Sequence, residues 1–139
     1  MSYPESVRYL YALGNELKAG AKFGLERMRI LLAELGNPEQ GQRFVHVAGT
    51  NGKGSTCAML ASVLREAGFR TGLYTSPHLI SPTERIEIDG TATSEQRFAE
   101  LFAEVHSAAE QLIERGAIDA HPSYFETVTA MALVAFKTE

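Results

Sequence analysis

The sequence predicts an α/β fold in which a parallel sheet is flanked by helices. Residues 43–48 form an apolar segment that is typical of a short buried strand. A glycine-rich loop follows, and the amphipathic segment from Lys53 to about Ala67 predicts a helix that Gly68 ends. Residues 71–76 then predict a second strand. Because parallel strands need a crossover between them, this strand–loop–helix–strand order predicts a βαβ unit.

Further elements are predicted on both sides of this unit from hydrophobic periodicity. They are helices at residues 6–17 and 25–35, a half-exposed strand at 85–90 that turns at Asp89-Gly90, a helix between Thr93 and Gly116, and a helix from about Tyr124. The last helix is apolar on almost every side, which predicts that it is buried.

The composition predicts one soluble globular domain and excludes several function classes. Of 139 residues, 45% are apolar and 22% charged, as in folded chains. The formal charge of -4 argues against binding to nucleic acid or a membrane surface. One cysteine cannot form an internal disulfide, and neither a signal peptide nor an 18-residue apolar stretch is evident. We therefore expect a cytoplasmic monomer whose partners are small molecules, with no nucleic acid and no membrane among them.

The segment HVAGTNGKGSTCAML, residues 46–60, has the composition of a phosphate-binding loop. Phosphate oxygens are held best by backbone N–H groups that converge at a helix N-terminus, where side chains would obstruct the approach. A lysine then neutralises phosphate charge, and a hydroxyl reaches Mg²⁺. The residues that supply these parts are Gly49, Gly52, Lys53, Gly54, Ser55 and Thr56. The predicted sheet is therefore P-loop NTPase-like; the alternative is a turn whose glycines only permit tight packing.

This loop departs from the general phosphate-loop pattern at two positions. Val47 stands where that pattern has its first glycine, and Gly54 separates Lys53 from the hydroxyl residues. A kinase with the general form of the loop is therefore disfavoured.

Five segments of the sequence resemble one family in the order that the family has them. HVAGTNGKGST, followed by GLYTSPHL and ERIEIDG, is similar to the folylpolyglutamate synthase/dihydrofolate synthase family of the Mur ligase superfamily, as are FGLERM upstream and SYFETVTAMAL downstream. The similarity spans residues 23–136. It implies that residues 1–139 are the N-terminal part of a Mur ligase central domain, with the rest of that domain and a C-terminal domain absent.

The resemblance also implies a reaction. ATP phosphorylates the carboxylate of dihydropteroate or folate, and the amine of L-glutamate then attacks the acyl phosphate. Mg²⁺ and a lysine stabilise the charge on the transferring phosphoryl group. The cofactors implied are ATP and Mg²⁺, and the chain by itself is expected to be inactive because later family motifs are absent.

Site residues follow from the same resemblance. The ATP-binding residues implied are Gly49, Thr50, Asn51, Gly52, Lys53, Gly54, Ser55 and Thr56, of which Lys53 is the catalytic one. The metal ligand implied is Ser76. The pterin or folate would be bound by Phe23, Gly24, Leu25, Ser123, Tyr124, Phe125 and Glu126. Judged from the residues alone, Tyr124 and Phe125 are equally typical of a core, and Glu126 of a helix cap.

Two further functions remain open at this point. One is a Mur-type ligase that acts on a peptidoglycan precursor, and the other is a nucleotide-binding module without ligase activity. The inserted Gly54 and the SPHL segment argue against the first.

The histidines and the acidic helix indicate a function less clearly than the loop does. His46, His78 and His121 share no metal-ligand spacing. We expect His46 to pack beneath the phosphate loop and His78 to line the substrate cleft. The carboxylates of the helix between residues 94 and 116, among them Glu104 and Glu110, predict a solvated face with no assigned role.

Overall fold

A computed structural model describes residues 1–13, 25–49 and 51–139 of the chain. Within these ranges the helices are α1 (Tyr3–Leu13), α2 (Glu26–Glu34), α3 (Lys53–Glu66), α4 (Glu95–Glu114) and α5 (Tyr124–Thr138). The strands are β1 (Gly72–Tyr74), β2 (Ile86–Ile88) and β3 (Thr91–Ala92), and a short 3-10 helix (Pro82–Arg85) precedes β2. None of the helices described is long and apolar enough to cross a membrane.

The chain forms two compact units. The first, called the helical unit, comprises Met1–Gly41 and Glu95–Thr138 and so contains α1, α2, α4 and α5. The second, called the sheet unit, comprises Gln42–Ser94 together with Glu139 and contains α3 and the strands.

The core of the helical unit is the interface among its helices, chiefly between α4 and α5. Apolar residues at helical spacing on α4 are fully buried, as their periodicity predicts, and they meet apolar residues of α5. The largest of these buried side chains are Phe98, Leu101, Phe102, Val105, Leu112, Val128 and Met131. Burial of each contributes about 2 kcal/mol of free energy, so this interface stabilises the unit substantially.

The predicted helices are confirmed within the described ranges, with small shifts at their ends. The predicted helix at residues 6–17 is observed as α1, and its residues 14–17 lie outside the described residues. The α4 helix begins at Glu95, so Ser94 occupies the N-cap position. The Thr93 N–H donates to the Ile86 carbonyl at 2.9 Å, because Thr93 continues the hairpin.

The sheet of the sheet unit is antiparallel, with strand order β1-β2-β3. Strand β1 pairs with β2 so that Gly72 lies opposite Ile88. The predicted turn at Asp89-Gly90 is confirmed, since both residues have positive φ, 48° and 85°, as a two-residue type I′ hairpin requires.

The prediction of a βαβ unit with a parallel sheet is not realised in the described residues. Residues 43–48 form no strand, and Phe44 and Val45 are 54% and 68% exposed. The pair of strands that the sequence predicted as parallel therefore does not form, and β1 pairs with the hairpin strand β2 instead. A strand exists only where a neighbouring backbone accepts its hydrogen bonds, and no described segment does so for residues 43–48.

Candidate functional site

The glycine-rich loop leads directly into α3. Gly52 is the N-cap of this helix and has a left-handed φ of 74°. The first intrahelical bond runs from the Thr56 N–H to the Gly52 carbonyl at 3.0 Å. The N–H groups before Thr56 therefore have no partner within the helix, and the residues that carry them are exposed. Such a helix start is able to bind an anion.

The space around the glycines argues against the purely structural alternative. A Cβ added at Gly52 or Gly54 would meet no described atom within 4 Å, so tight packing does not require glycine at either position. Backbone conformation explains Gly52, because its φ is positive, but it does not explain Gly54. An open approach for a ligand to the Gly54 amide stays the prediction for this position.

Lys53 stands at the first position of α3 and is exposed. Its Cγ lies 3.9 Å from the position that a Gly49 Cβ would occupy, so the lysine stem runs past the glycine that opens the loop. Of the remaining predicted ATP-binding residues, Asn51, Ser55 and Thr56 are also exposed, and Thr50 lies outside the described residues.

The predicted metal ligand Ser76 follows β1 and is exposed. Its neighbours Thr75 and Pro77 line a cavity of about 320 Å³ in the sheet unit, together with His78, Glu84 and Glu87. His78 therefore lines a cleft of the sheet unit. The expectation that this cleft takes the substrate stays a prediction.

Two side chains organise the wall of this cavity. The Arg85 Nε donates to His78 Nδ1 at 2.8 Å, so Nδ1 is the acceptor nitrogen of the ring. Burial lowers the pKa of His78, and the positive charge of Arg85 lowers it further, against the opposing effect of Glu84. The imidazole of His78 is thus favoured in its neutral form.

Glu84 holds the loop that follows Pro77. Its carboxylate accepts from the N–H groups of Leu79, Ile80 and Ser81 at 3.1, 3.0 and 2.7 Å. These backbone hydrogen bonds, that of Ser81 first, lower the pKa of Glu84 because they stabilise the ionised form. The loop beside Ser76 is therefore tied to one carboxylate.

The predicted substrate residues of the helical unit lie at the start of α5. The Glu126 N–H donates to Ser123 Oγ at 3.1 Å, and the Ser123 N–H donates to Glu126 Oε1 at 3.0 Å. This reciprocal pair is a capping box, so the capping role that the sequence left open for Glu126 is confirmed. Both residues are buried.

The aromatic residues beside the capping box differ in exposure. Tyr124 is half-buried and stacks on Tyr11, with 5.5 Å between ring centroids and 18° between ring planes. Phe125 is 48% exposed and is therefore not a core residue. Leu25, just before α2, is 63% exposed, whereas Phe23 and Gly24 lie outside the described residues.

Arg27 is a residue of this region that sequence reasoning missed. Its Nε donates to Glu126 Oε1 at 2.9 Å, and its Nη2 donates to the same oxygen. The signal was present, since Arg27 and Glu126 belong to two of the motifs quoted above, FGLERM and SYFETVTAMAL. Periodicity alone cannot show that residues so far apart in sequence meet.

The structure does not place His46 where the sequence predicted. It is exposed on the segment before the glycine loop, so the expectation that it packs beneath the loop was wrong. Burial of His46 would require the strand at residues 43–48 to sit inside a sheet, and the described residues supply no such sheet.

The fold and the loop together define a class: a mixed α/β protein with a glycine-rich, phosphate-loop-like segment at the start of a helix. No family model matches the chain. It is 44% identical over 122 residues to the dihydrofolate synthase/folylpolyglutamate synthase of Bacillus subtilis, a match that covers 86% of this chain and 27% of the relative.

Solved structures agree with this similarity. The folylpolyglutamate synthetase from Lactobacillus casei superposes with a TM-score of 0.89 at 38% identity, over 99% of this chain and 34% of that one. A folylpolyglutamate synthase complex with AMPPCP and folate gives a TM-score of 0.90 at 38% identity, over 99% of this chain and 33% of that one. Over the length that it covers, the chain belongs to the folylpolyglutamate synthase/dihydrofolate synthase family. It spans about a quarter to a third of the length of these relatives.

Proposed function

We propose that the chain supplies the phosphate-binding part of an ATP-dependent ligase that joins L-glutamate to folate or dihydropteroate. The observation that carries this proposal is the start of α3, where Gly52 and Gly54 leave exposed N–H groups with open space in front of them. Support also comes from the relative that was solved with AMPPCP and folate, two ligands that match the chemistry of this loop and of the reaction.

The backbone amides from Gly49 to Thr56 would hold the phosphates of ATP. Lys53, at the first position of α3, would face the β- and γ-phosphates and offset the charge that develops during transfer. A carboxylate oxygen of the acceptor attacks the γ-phosphorus, and ADP leaves. The amine of glutamate then attacks the acyl carbon, so that a C–N bond forms, phosphate leaves and the amine proton passes to solvent.

The exposed oxygen donors of the sheet unit fit a hard divalent cation. Ser55 and Thr56 offer hydroxyls beside the predicted phosphates, and Ser76 offers one beside the cavity that Glu87 lines. Glu84 is a poorer candidate because three N–H groups already engage its carboxylate. Mg²⁺ held by these hydroxyls would supply Lewis-acid stabilisation of phosphate charge.

The pterin would be bound in the helical unit, at the start of α5. Phe125 and Leu25 present exposed apolar surface, and Phe125 is an aromatic ring suited to stacking on a flat pterin. Ser123 and Glu126 act at this site through their capping box, which fixes the backbone on which Tyr124 and Phe125 stand.

We infer further that residues 43–48 join a parallel, P-loop NTPase-like sheet in a protein of the relatives' full length. Their apolar character and their exposure here support this inference. By itself the chain would bind nucleotide without turnover, because the remaining length of its relatives is needed to complete the site.

Nucleotide binding is tested by titrating the chain with MgATP and following the heat of binding. Lys53→Gln should weaken binding at least tenfold, whereas Arg70→Gln removes an exposed cation of the same unit and should leave the affinity unchanged. Equal affinities for the two variants would contradict the role of Lys53.

Ligase activity is tested with the chain placed in a full-length relative. Folate-dependent release of ADP that disappears with Lys53→Gln would support the proposal. ATP binding without such release would instead favour a nucleotide-binding module, and ADP release that depends on a peptidoglycan precursor would favour a Mur-type ligase of that kind.

A further inference from the structure

Three potential metal-ligating side chains meet in the helical unit. His106 and Glu110 lie four residues apart on α4, which places them on one face of the helix. His121 belongs to the segment between α4 and α5 and approaches the same face. None of these three residues belongs to the site proposed above.

The ligand atoms of the cluster converge. His106 Nε2 and His121 Nε2 each lie 3.4 Å from Glu110 Oε1, and the ligand atoms of all three residues lie within 4.8 Å of one another. The two imidazole rings are nearly parallel, with planes 9° apart and centroids 5.8 Å apart. One carboxylate oxygen thus stands between two ring nitrogens.

These separations suit a shared metal ion better than direct hydrogen bonds. A charge-assisted N–H···O hydrogen bond is about 2.7–2.9 Å long, so 3.4 Å is too long for a strong one. A tetrahedral zinc ion holds nitrogen and oxygen ligands at about 2.0–2.2 Å, which places neighbouring ligand atoms roughly 3.3–3.6 Å apart. Both distances from Glu110 Oε1 fall in that range.

The surroundings hold one ligand in place and leave the others accessible. The His106 ring lies against Phe102, with centroids 5.1 Å and planes 16° apart, and is also close to Tyr9. Its side chain is only 19% exposed, whereas those of Glu110 and His121 are half-exposed. A metal ion can therefore enter from solvent and bind beside a ring whose position is set by packing.

We propose that His106, Glu110 and His121 form a three-ligand site for a zinc ion, with water as the fourth ligand. Two imidazoles and one carboxylate form a donor set that zinc uses with an open position. Magnesium is disfavoured, since it prefers oxygen ligands in an octahedral arrangement. This site therefore differs in chemistry from the hydroxyls proposed for Mg²⁺ in the sheet unit.

Metal binding here would connect two segments. His121 lies two residues before Ser123, which caps α5. A zinc ion shared by His121 and the α4 ligands would restrain the segment that leads into the capping box. The proposed role is thus to fix the start of α5, on which the exposed Phe125 stands.

The test is titration of the chain with ZnCl₂ after treatment with a chelator, followed by calorimetry. We expect one equivalent of zinc to bind with a clear preference over Mg²⁺. Glu110→Gln and His121→Asn should each weaken binding about 100-fold, because loss of a supporting hydrogen bond to a metal ligand already costs about 10–100-fold. Both side chains are half-exposed, so these variants should keep the melting temperature of the metal-free chain.

Matched controls remove similar groups outside the cluster. Glu104→Gln neutralises an exposed carboxylate on the same helix, and His46→Asn removes an exposed histidine of the sheet unit. Both should bind zinc like the unaltered chain. In a second measurement, Co²⁺ replaces zinc, and its visible absorption should show tetrahedral coordination that Glu110→Gln and His121→Asn abolish.

Three results would overturn the proposal. They are an absence of zinc binding, zinc binding that survives both Glu110→Gln and His121→Asn, and an equal loss of affinity in His46→Asn.

Discussion

Arg27 and Glu126, 99 residues apart in the sequence, form an ion pair between the start of α2 and the first turn of α5. Two guanidinium nitrogens donate to one carboxylate oxygen, and the side chains are 19% and 10% exposed. The same oxygen accepts from the Ser123 N–H. One carboxylate therefore caps α5 and connects it to α2, so that the positions of these helix starts depend on each other.

Removal of either partner of this pair should destabilise the chain. Arg27→Met leaves a buried carboxylate without its cation, and Glu126→Gln leaves a half-buried guanidinium without its anion. Each should lower the free energy of unfolding by about 3 kcal/mol, because a charge that solvent reaches only in part is left without its partner. The double variant should lose less than the sum of the two. Urea unfolding of the unaltered chain, the two single variants and the double variant measures this coupling. As a control, Arg29→Met replaces an exposed arginine of the same helix and should change the free energy of unfolding little. Strictly additive losses would show that the pair contributes no coupling energy.

Loss of the α5 cap should have a smaller, local effect. Ser123→Ala removes the oxygen that accepts the Glu126 N–H and should cost about 1 kcal/mol in thermal or urea unfolding. Ser107→Ala, at an exposed position inside α4, is the control and should be neutral or slightly stabilising because alanine favours helix. If Ser107→Ala lowers the free energy of unfolding as much as Ser123→Ala does, Ser123 does not stabilise α5 through its cap.

The stability of the loop after Pro77 should depend on pH through Glu84. Its pKa lies below the ordinary value of 4.5 because the amides of Ser81, Leu79 and Ile80 donate to the ionised form. A lowered pKa means that the stabilisation is fully present above about pH 4.5 and is lost as the pH falls through the lower, folded-state pKa. Amide chemical shifts of residues 79–81 should report this transition.

A variant separates this effect from general acid denaturation. Glu84→Ala should show, at neutral pH, the amide shifts that the unaltered chain reaches only in acid. Glu66→Gln, which changes an exposed carboxylate of α3, should titrate like the unaltered chain. If the amides of residues 79–81 do not respond to acid before the chain unfolds, Glu84 does not hold this loop.

Gly54→Ala should separate folding from binding at the glycine loop. Its new Cβ meets no described atom within 4 Å, so the better helix propensity of alanine should stabilise α3 by up to about 1 kcal/mol. If phosphate approaches the amide of residue 54, the methyl group obstructs it, and MgATP should bind at least tenfold more weakly. Ser62→Ala, exposed further along α3, should stabilise the helix without affecting binding. Unchanged MgATP affinity in Gly54→Ala would mean that the loop does not hold phosphate in the way proposed.

The sequence by itself determined the elements that depend on near neighbours. Phe98, Phe102 and Val105 recur at helical spacing, and they are buried along α4 as that spacing predicts. Asp89-Gly90 specifies its hairpin because both residues tolerate positive φ. Gly52 likewise marks a helix start, because its positive φ and the open space around it are properties of the loop itself.

Only the tertiary structure decided which distant residues meet. A strand at residues 43–48 needs a neighbouring backbone, and the pattern of one segment cannot say whether that neighbour is present. The Arg27–Glu126 pair and the approach of His121 to His106 and Glu110 depend on the path of the chain between helices, which periodicity does not encode. The apolar spacing along a segment selects which face is buried, whereas the packing of all helices together selects the partners of the polar groups.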